Sequence, residues 1–293
     1  MTGTAAESTI FPQLETTAKK GSSVYRFQVE LETIQALISR IEENAENFAE
    51  ALRREHIPHL SFTQITTVES CEYRYYLQYI LGLDPDPIPE YFTKGKLLHE
   101  AIAGIYQKLQ HDNQPDHNDQ LGFLRSSCKE EYLHHLENSL EVVHQNLWQD
   151  VRICAIEHPF VTVLDEELPP FVGVIDLVLE RGDKLYLIDH KTGRRFYQPD
   201  SMQMALYQIY ARRSFGKDRI HAFYDQYRWV ENLSRIRKPA FQRTEVRVTQ
   251  DEVHTGIERV REGYARIERI RSRQGAGKTG PCYACPFRFN CPL

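Results

Sequence analysis

Two apolar runs joined by a polar tetrapeptide, FVGVIDLVLERGDKLYLIDHKTG at residues 171–193, constrain this chain more than any other stretch. Each run is rich in Val, Ile, Leu and Tyr, as strands are. Between them, Arg-Gly-Asp-Lys at 181–184 supplies the Gly-first pair of a two-residue type II′ hairpin. A Gly182-Asp183 loop opposes Arg181 to Lys184, and the same register sets Asp176 opposite Asp189, Cβ atoms about 5 Å apart. Lys191 points to the same side as Asp189, and His190 to the other. Carboxylates in apolar strands are costly unless paired or bound to a metal. A divalent cation relieves the repulsion of two opposed acids, and oxygen ligands favour Mg²⁺ or Mn²⁺. With an ammonium alongside, such a site is equipped to attack a phosphodiester. The plainer reading of the same residues is a salt-bridged Asp/Lys cluster at a sheet end.

Around this hairpin the chain alternates helical and strand-like segments. Residues 1–23 are polar and aperiodic and predict a loose tail. From 24 to 58 a different pattern holds: Phe27, Leu31, Ile34, Ile38, Ile41, Ala45, Phe48 and Leu52 recur at spacings of four and three, a heptad seam that predicts one amphipathic helix. Packing of the seam along its own domain is preferred to self-association or a protein partner through 27–52. Ser61 and Gln64 form a capping-box signal for a helix to about Leu81. A second helix begins near Lys94 and carries His99, and helical sequence continues through about 150. Strand-like residues 153–164 precede the hairpin; a helix near 200–214, a strand near 219–230 and an Arg-rich helix at 250–273 follow it. Strands flanked by helices predict an α/β domain.

The C-terminal PCYACPFRFNCP places Cys282, Cys285 and Cys291 as C-x2-C-x5-C, a metal signal lacking a fourth ligand. Zinc and an iron–sulfur cluster both suit thiolates of this kind. Cys128 and Cys154 have no partner pattern and read as small buried hydrophobes.

The GVID and DHKTG stretches bearing Asp176, Asp189 and Lys191 resemble the PD-(D/E)XK nuclease superfamily, specifically its RecB-like branch. His190 stands where that branch commonly has Tyr. The resemblance implies a restriction-endonuclease-like core over 59–293, a mixed central sheet flanked by helices, with a helical insertion at about 100–150 and a cysteine cluster at 282–291. It also implies that His99 of GKLLH joins Asp176, Asp189 and the His190 carbonyl as Mg²⁺ or Mn²⁺ ligands, and that Gln203 and Tyr207 of QMALY position Lys191 and the DNA strand. Iron–sulfur members such as the AddB nuclease domain and a CRISPR-associated family carry one upstream cysteine, matched here by Cys71, although Glu72 replaces the usual Pro. A [4Fe–4S] cluster on Cys71, Cys282, Cys285 and Cys291 is therefore the expected staple between the N-terminal helix and the tail.

Charge is distributed unevenly. Residues 194–293 hold 20 Lys+Arg against 10 Asp+Glu in a chain of net charge −5, which suits a polyanion gripped on one side. Arginines of 194–273, with Tyr224, Tyr227 and Trp229, are candidates for a strand-binding groove, although each of those aromatics taken singly reads as core sooner than as ligand. The expected function is a metal-dependent DNA nuclease acting on single strands or free ends, in repair, recombination or CRISPR spacer processing. A catalytically silent DNA-end-binding or scaffold protein of the same fold is the alternative. No run reaches the ~18 apolar residues of a membrane span and no secretory signal opens the chain, so a cytoplasmic location is expected.

Overall fold

The structure, a computed structural model, describes residues 25–44, 47–112, 117–198 and 200–272, and in the tail 276–277, 280, 282–289 and 291. The tail predicted for 1–23 lies outside the described residues.

The heptad segment forms two helices, α1 (Gln28–Asn44) and α2 (Phe48–Glu55), where the seam alone predicts one. A new N-cap explains the division: the Asn47 side chain accepts from the Glu50 N–H and opens α2. Ile34, Leu37, Ile41, Phe48 and Leu52 are buried together against Val172 of the chain's own sheet.

Next come β1 (Leu60–Ser61), α3 (Phe62–Ser70) and α4 (Glu72–Tyr75), with a π-helical turn at Tyr76–Ile80. The helix expected over 61–81 is thus broken at Cys71, whose extended backbone ends α3. Three helices follow: α5 (Glu90–Asp112), α6 (His117–Ser127) and α7 (Glu130–Gln145). The remainder is β2 (Arg152–Thr162), β3 (Phe171–Arg181), β4 (Lys184–Gly193), α8 (Ser201–Phe215), β5 (Arg219–Arg228), β6 (Phe241–Val246) and α9 (Gln250–Arg271). Strand β6 has no counterpart in the expectations from sequence.

The six strands make one mixed sheet in the order β1-β3-β4-β5-β6, with β2 on the other edge of β3. The hairpin has the expected register, Arg181 opposite Lys184 and Leu177 opposite Ile188. Gly182 takes φ +62°, as the first position of a II′ turn requires. The β3–β4 ladder stops at Leu177–Ile188, while β4 continues parallel to β5 as far as Gly193–Arg228. The two hairpin strands therefore part at Asp176 and Asp189, leaving a cleft within the sheet.

Helices cover both faces, giving a three-layer α/β/α domain. Ile65 and Val68 of α3, Met202 and Leu206 of α8, and Val260 and Ile267 of α9 bury against Val178, Leu185 and Leu187. On the opposite face Leu98, Ile102 and Ile105 of α5 and Leu140 and Val143 of α7 pack on Leu177, Leu179 and Ile188. Each such side chain contributes about 1.5–3 kcal/mol. Arg259 of α9 ties the first layer together, bonding Glu69 Oε2 at 2.8 Å and Asp200, the N-cap of α8, at 2.9 Å.

Candidate active site

The parting of β3 and β4 leaves the His190 N–H without a ladder partner, and the Asp176 side chain takes it: His190 N donates to Asp176 Oδ2 at 2.7 Å. The His99 imidazole on α5 approaches the same oxygen, Nδ1 to Oδ2 3.4 Å. From the other edge of β3 comes Glu157. Its neighbours Ile156 and His158 pair with Leu177 and Ile175, so Glu157 stands opposite Asp176. Glu157 holds a left-handed φ of +46°, a conformation that costs a non-glycine residue about 1–3 kcal/mol and that clusters at functional sites. One ligand atom each from His99, Glu157 and Asp176 lie within 4.8 Å of one another. This is a chelating set of one imidazole and two carboxylates.

Asp189 faces a different group. Its Oδ2 lies 2.5 Å from Lys191 Nζ, and its Oδ1 accepts from Gln203 Nε2 at 2.7 Å. Gln203 Oε1 in turn accepts from Lys191 Nζ at 3.1 Å and from the Tyr224 hydroxyl at 3.2 Å, while its Nε2 also meets the Tyr207 hydroxyl at 3.2 Å. Asp200 caps the first turn of α8, so Gln203 and Tyr207, four residues apart, share one helix face toward the cleft.

The electrostatics follow from crowding acids into the cleft. Burial first, and then Asp189, push the Asp176 acid up to about 6, against the opposing pull of His99 and Lys191. Glu157 is open to solvent at its edge, yet desolvation and then Asp176, Asp189 and Glu100 raise its acid to about 8. Burial works against the Lys191 ammonium, but Asp189 and Asp176 outweigh it and the net direction is upward. His190, buried between Tyr106 and Tyr227, is pushed well down, chiefly by burial and further by the cationic Arg243 and Lys191. Its ring is therefore neutral at pH 7. A doubly charged cation on His99, Glu157 and Asp176 would offset the like-charge repulsion that, after burial, raises both acids.

A family model of the PD-(D/E)XK nuclease superfamily matches residues 59–292. The chain belongs to the PD-(D/E)XK nuclease superfamily. Among solved structures it is similar to a presumed exonuclease from Eubacterium rectale, at 13% identity over 83% of this chain and 91% of that one, with a TM-score of 0.49. It is also similar to a protein designated SSO0001, at 15% identity over 89% and 96% of the two chains, with a TM-score of 0.34. No curated protein matches.

In this PD-(D/E)XK chain the structure brings His99, Asp176, Asp189, His190, Lys191, Gln203 and Tyr207 to one cleft, but it divides them. Asp189 is engaged by Lys191 and Gln203, and it is Glu157 that completes the group with His99 and Asp176. The His190 backbone meets the acids through its N–H to Asp176. Sequence reading missed Glu157. The available signal was an acid in the strand preceding the hairpin, but its register with β3 depends on the 163–170 connection.

Of the aromatics considered for a strand-binding groove, Tyr224 and Tyr227 are core residues, 1% and 3% exposed, and Trp229 is half-buried with Lys94 over its ring. Packing against the sheet removes their faces from a nucleic-acid strand. The four cysteines, moreover, are not gathered as a ligand group among the described residues, where the one such group is His99, Glu157 and Asp176. What the fold does place together is the tail and the α3–α4 break. Tyr73 N donates to Gly277 O at 3.1 Å, and a Cβ on Gly280 would stand 3.3 Å from the Cβ of Cys71.

Proposed function

We propose that this chain is a metal-dependent deoxyribonuclease that hydrolyses phosphodiester bonds of single-stranded DNA or DNA ends. The observation that carries the reading is the 4.8 Å grouping of His99, Glu157 and Asp176 beside the Asp189–Lys191 pair. Such a donor set suits Mg²⁺ or Mn²⁺. A cation held there supplies Lewis acidity toward a phosphoryl oxygen and makes a coordinated water more acidic.

The protein's own groups divide the remaining work. Asp189 and Gln203 hold the Lys191 ammonium in one place, so its positive charge is preorganised toward an attacking water or a non-bridging phosphate oxygen. Tyr207 and Tyr224 fix the Gln203 amide from two sides. The His99 imidazole and the two acids bind and orient.

The finer reading gives Cys71, Cys282, Cys285 and Cys291 a [4Fe–4S] cluster that staples the tail to the α3–α4 break, supported by the approach of Gly280 to Cys71. It sets the enzyme in cytoplasmic DNA repair, recombination or CRISPR spacer processing. Among the described residues no helix is long and apolar enough to cross a membrane.

End-labelled single-stranded and duplex DNA, incubated with Mg²⁺ or Mn²⁺, tests the activity. Cleavage by the natural protein, lost with a chelator and in Asp176→Asn and Asp189→Ala, is the expected result. Cleavage unchanged in Asp189→Ala identifies it as contamination and favours a catalytically silent DNA-end-binding protein.

A further inference from the structure

Beyond the end of β4 at Gly193, the backbone of Tyr197 is bonded by a buried side chain of the neighbouring strand. Gln226 of β5 is 2% exposed and pairs in register with Lys191. Its Oε1 accepts from the Tyr197 N–H at 3.1 Å, and its Nε2 donates to the Tyr197 carbonyl at 3.1 Å. A buried amide with both ends satisfied by the N–H and C=O of one residue anchors the backbone at that residue.

The side chain on this anchored backbone is open to solvent. Tyr197 is 47% exposed, whereas Tyr207, Tyr224 and Tyr227 around the same cleft are 5%, 1% and 3% exposed. Through Gln226, the register partner of Lys191 on β5, the Tyr197 backbone is tied next to the strand that carries Asp189 and Lys191. Arg194 and Arg195, just before it in the chain, are exposed. An exposed aromatic side chain on an anchored backbone, following two exposed arginines in sequence and next to a candidate phosphodiester site, is a combination suited to an unpaired base and its phosphate.

We propose that Tyr197 is the base-stacking residue that seats a single-stranded nucleotide beside the acidic cleft, held in position by Gln226. The proposal rests on the nuclease reading above and deepens it by naming what selects single strands. A base within a duplex has both faces covered by its neighbours, so a stacking seat admits frayed ends and single strands before it admits paired DNA. Stacking is tolerant of sequence, because every base presents a π-face.

The test is binding of a single-stranded oligonucleotide carrying 2-aminopurine to the full-length protein in chelator, where no cleavage proceeds, together with metal-dependent cleavage kinetics. Tyr197→Ala is expected to weaken binding about tenfold or more, to abolish the fluorescence change of the stacked base, and to raise KM while leaving kcat within about threefold. Tyr197→Phe keeps the face without the hydroxyl and is expected to restore all three. Gln226→Ala is expected to weaken binding in the natural background and to add nothing to Tyr197→Ala. Unchanged binding in Tyr197→Ala overturns the proposal. So does a Tyr197→Phe variant as defective as the alanine one, since the hydroxyl would then be the active group. Absence of cleavage by the natural protein defeats the nuclease reading alone, and the binding arm still decides the role of Tyr197.

Discussion

Lys191 Nζ lies 2.5 Å from Asp189 Oδ2, and the Gln203 amide bridges the same two residues, donating to the acid and accepting from the ammonium. The ion pair is therefore set by α8 as well as by β4. Gln203→Glu removes the donor to Asp189 and adds a fourth carboxylate to the cleft, beside Glu157, Asp176 and Asp189. Cleavage is expected to fall about 10²-fold or more with the melting temperature little changed. Lys191→Met is expected to lose activity and to weaken metal binding less than Asp176→Asn does, since Lys191 offers no ligand. Isothermal titration with Mn²⁺ separates the two.

Glu157 is expected to matter as much as Asp176. Glu157→Gln removes one anionic ligand while keeping the side-chain shape, and should weaken Mn²⁺ affinity by about 10-fold or more, with cleavage reduced in step. A variant retaining full affinity would show the carboxylate to be a bystander.

Metal affinity should rise with pH. The Asp176 and Glu157 acids are raised, to about 6 and about 8, so each must lose a proton before a cation binds well. The sign for stability without metal is the opposite. An acid raised in the folded state binds more protons folded than unfolded, so its stabilisation is present at low pH and lost as pH climbs through the folded value. Melting temperatures in chelator are expected to decline across about pH 5 to 8.5, and Mn²⁺ is expected to offset the decline chiefly at its upper end. Glu157→Gln should flatten the chelator curve between pH 7 and 8.5.

Gly173 of β3 is a packing requirement. A Cβ there would meet the Phe160 ring at 2.6 Å and the Tyr207 ring at 3.0 Å. Gly173→Ala is expected to cost about 1–3 kcal/mol in chemical denaturation. Because Tyr207 abuts Gln203, it should also lower activity in the protein that remains folded.

The tail carries its own test. Anaerobically purified protein is expected to contain iron and sulfide together, and Cys282→Ser and Cys71→Ser are each expected to lose both and to melt at lower temperature. Zinc without iron would assign the cysteines to a structural zinc site instead.

Much of the cleft was legible because its determinants are local. A Gly-first two-residue turn dictates the β3–β4 register through Gly182, and strand alternation then sends Asp189 and Lys191 to one side and His190 to the other. The i, i+4 spacing likewise puts Gln203 and Tyr207 on one face of α8. Glu157 was not legible, because its place depends on how β2 pairs across the 163–170 connection and on a left-handed backbone angle that a Glu rarely adopts. Tyr197 was hidden for a similar reason: Gln226 lies 29 residues away and meets it only because β5 lies parallel to β4.

By itself, the sequence determined the hairpin, the helical periodicities and the kinds of atom offered to a cation, since turns and repeats act over a few residues. Only the tertiary structure decided which of those atoms share a space. Strand β4 leaves β3 at Leu177–Ile188, and that parting assigns Asp176 to His99 and Glu157 and gives Asp189 to Lys191 and Gln203. The physical reason is that opposed acids in a continuous ladder would stay paired in register, whereas a sheet that opens lets each carboxylate turn to whichever donor or cation the neighbouring layer brings within reach.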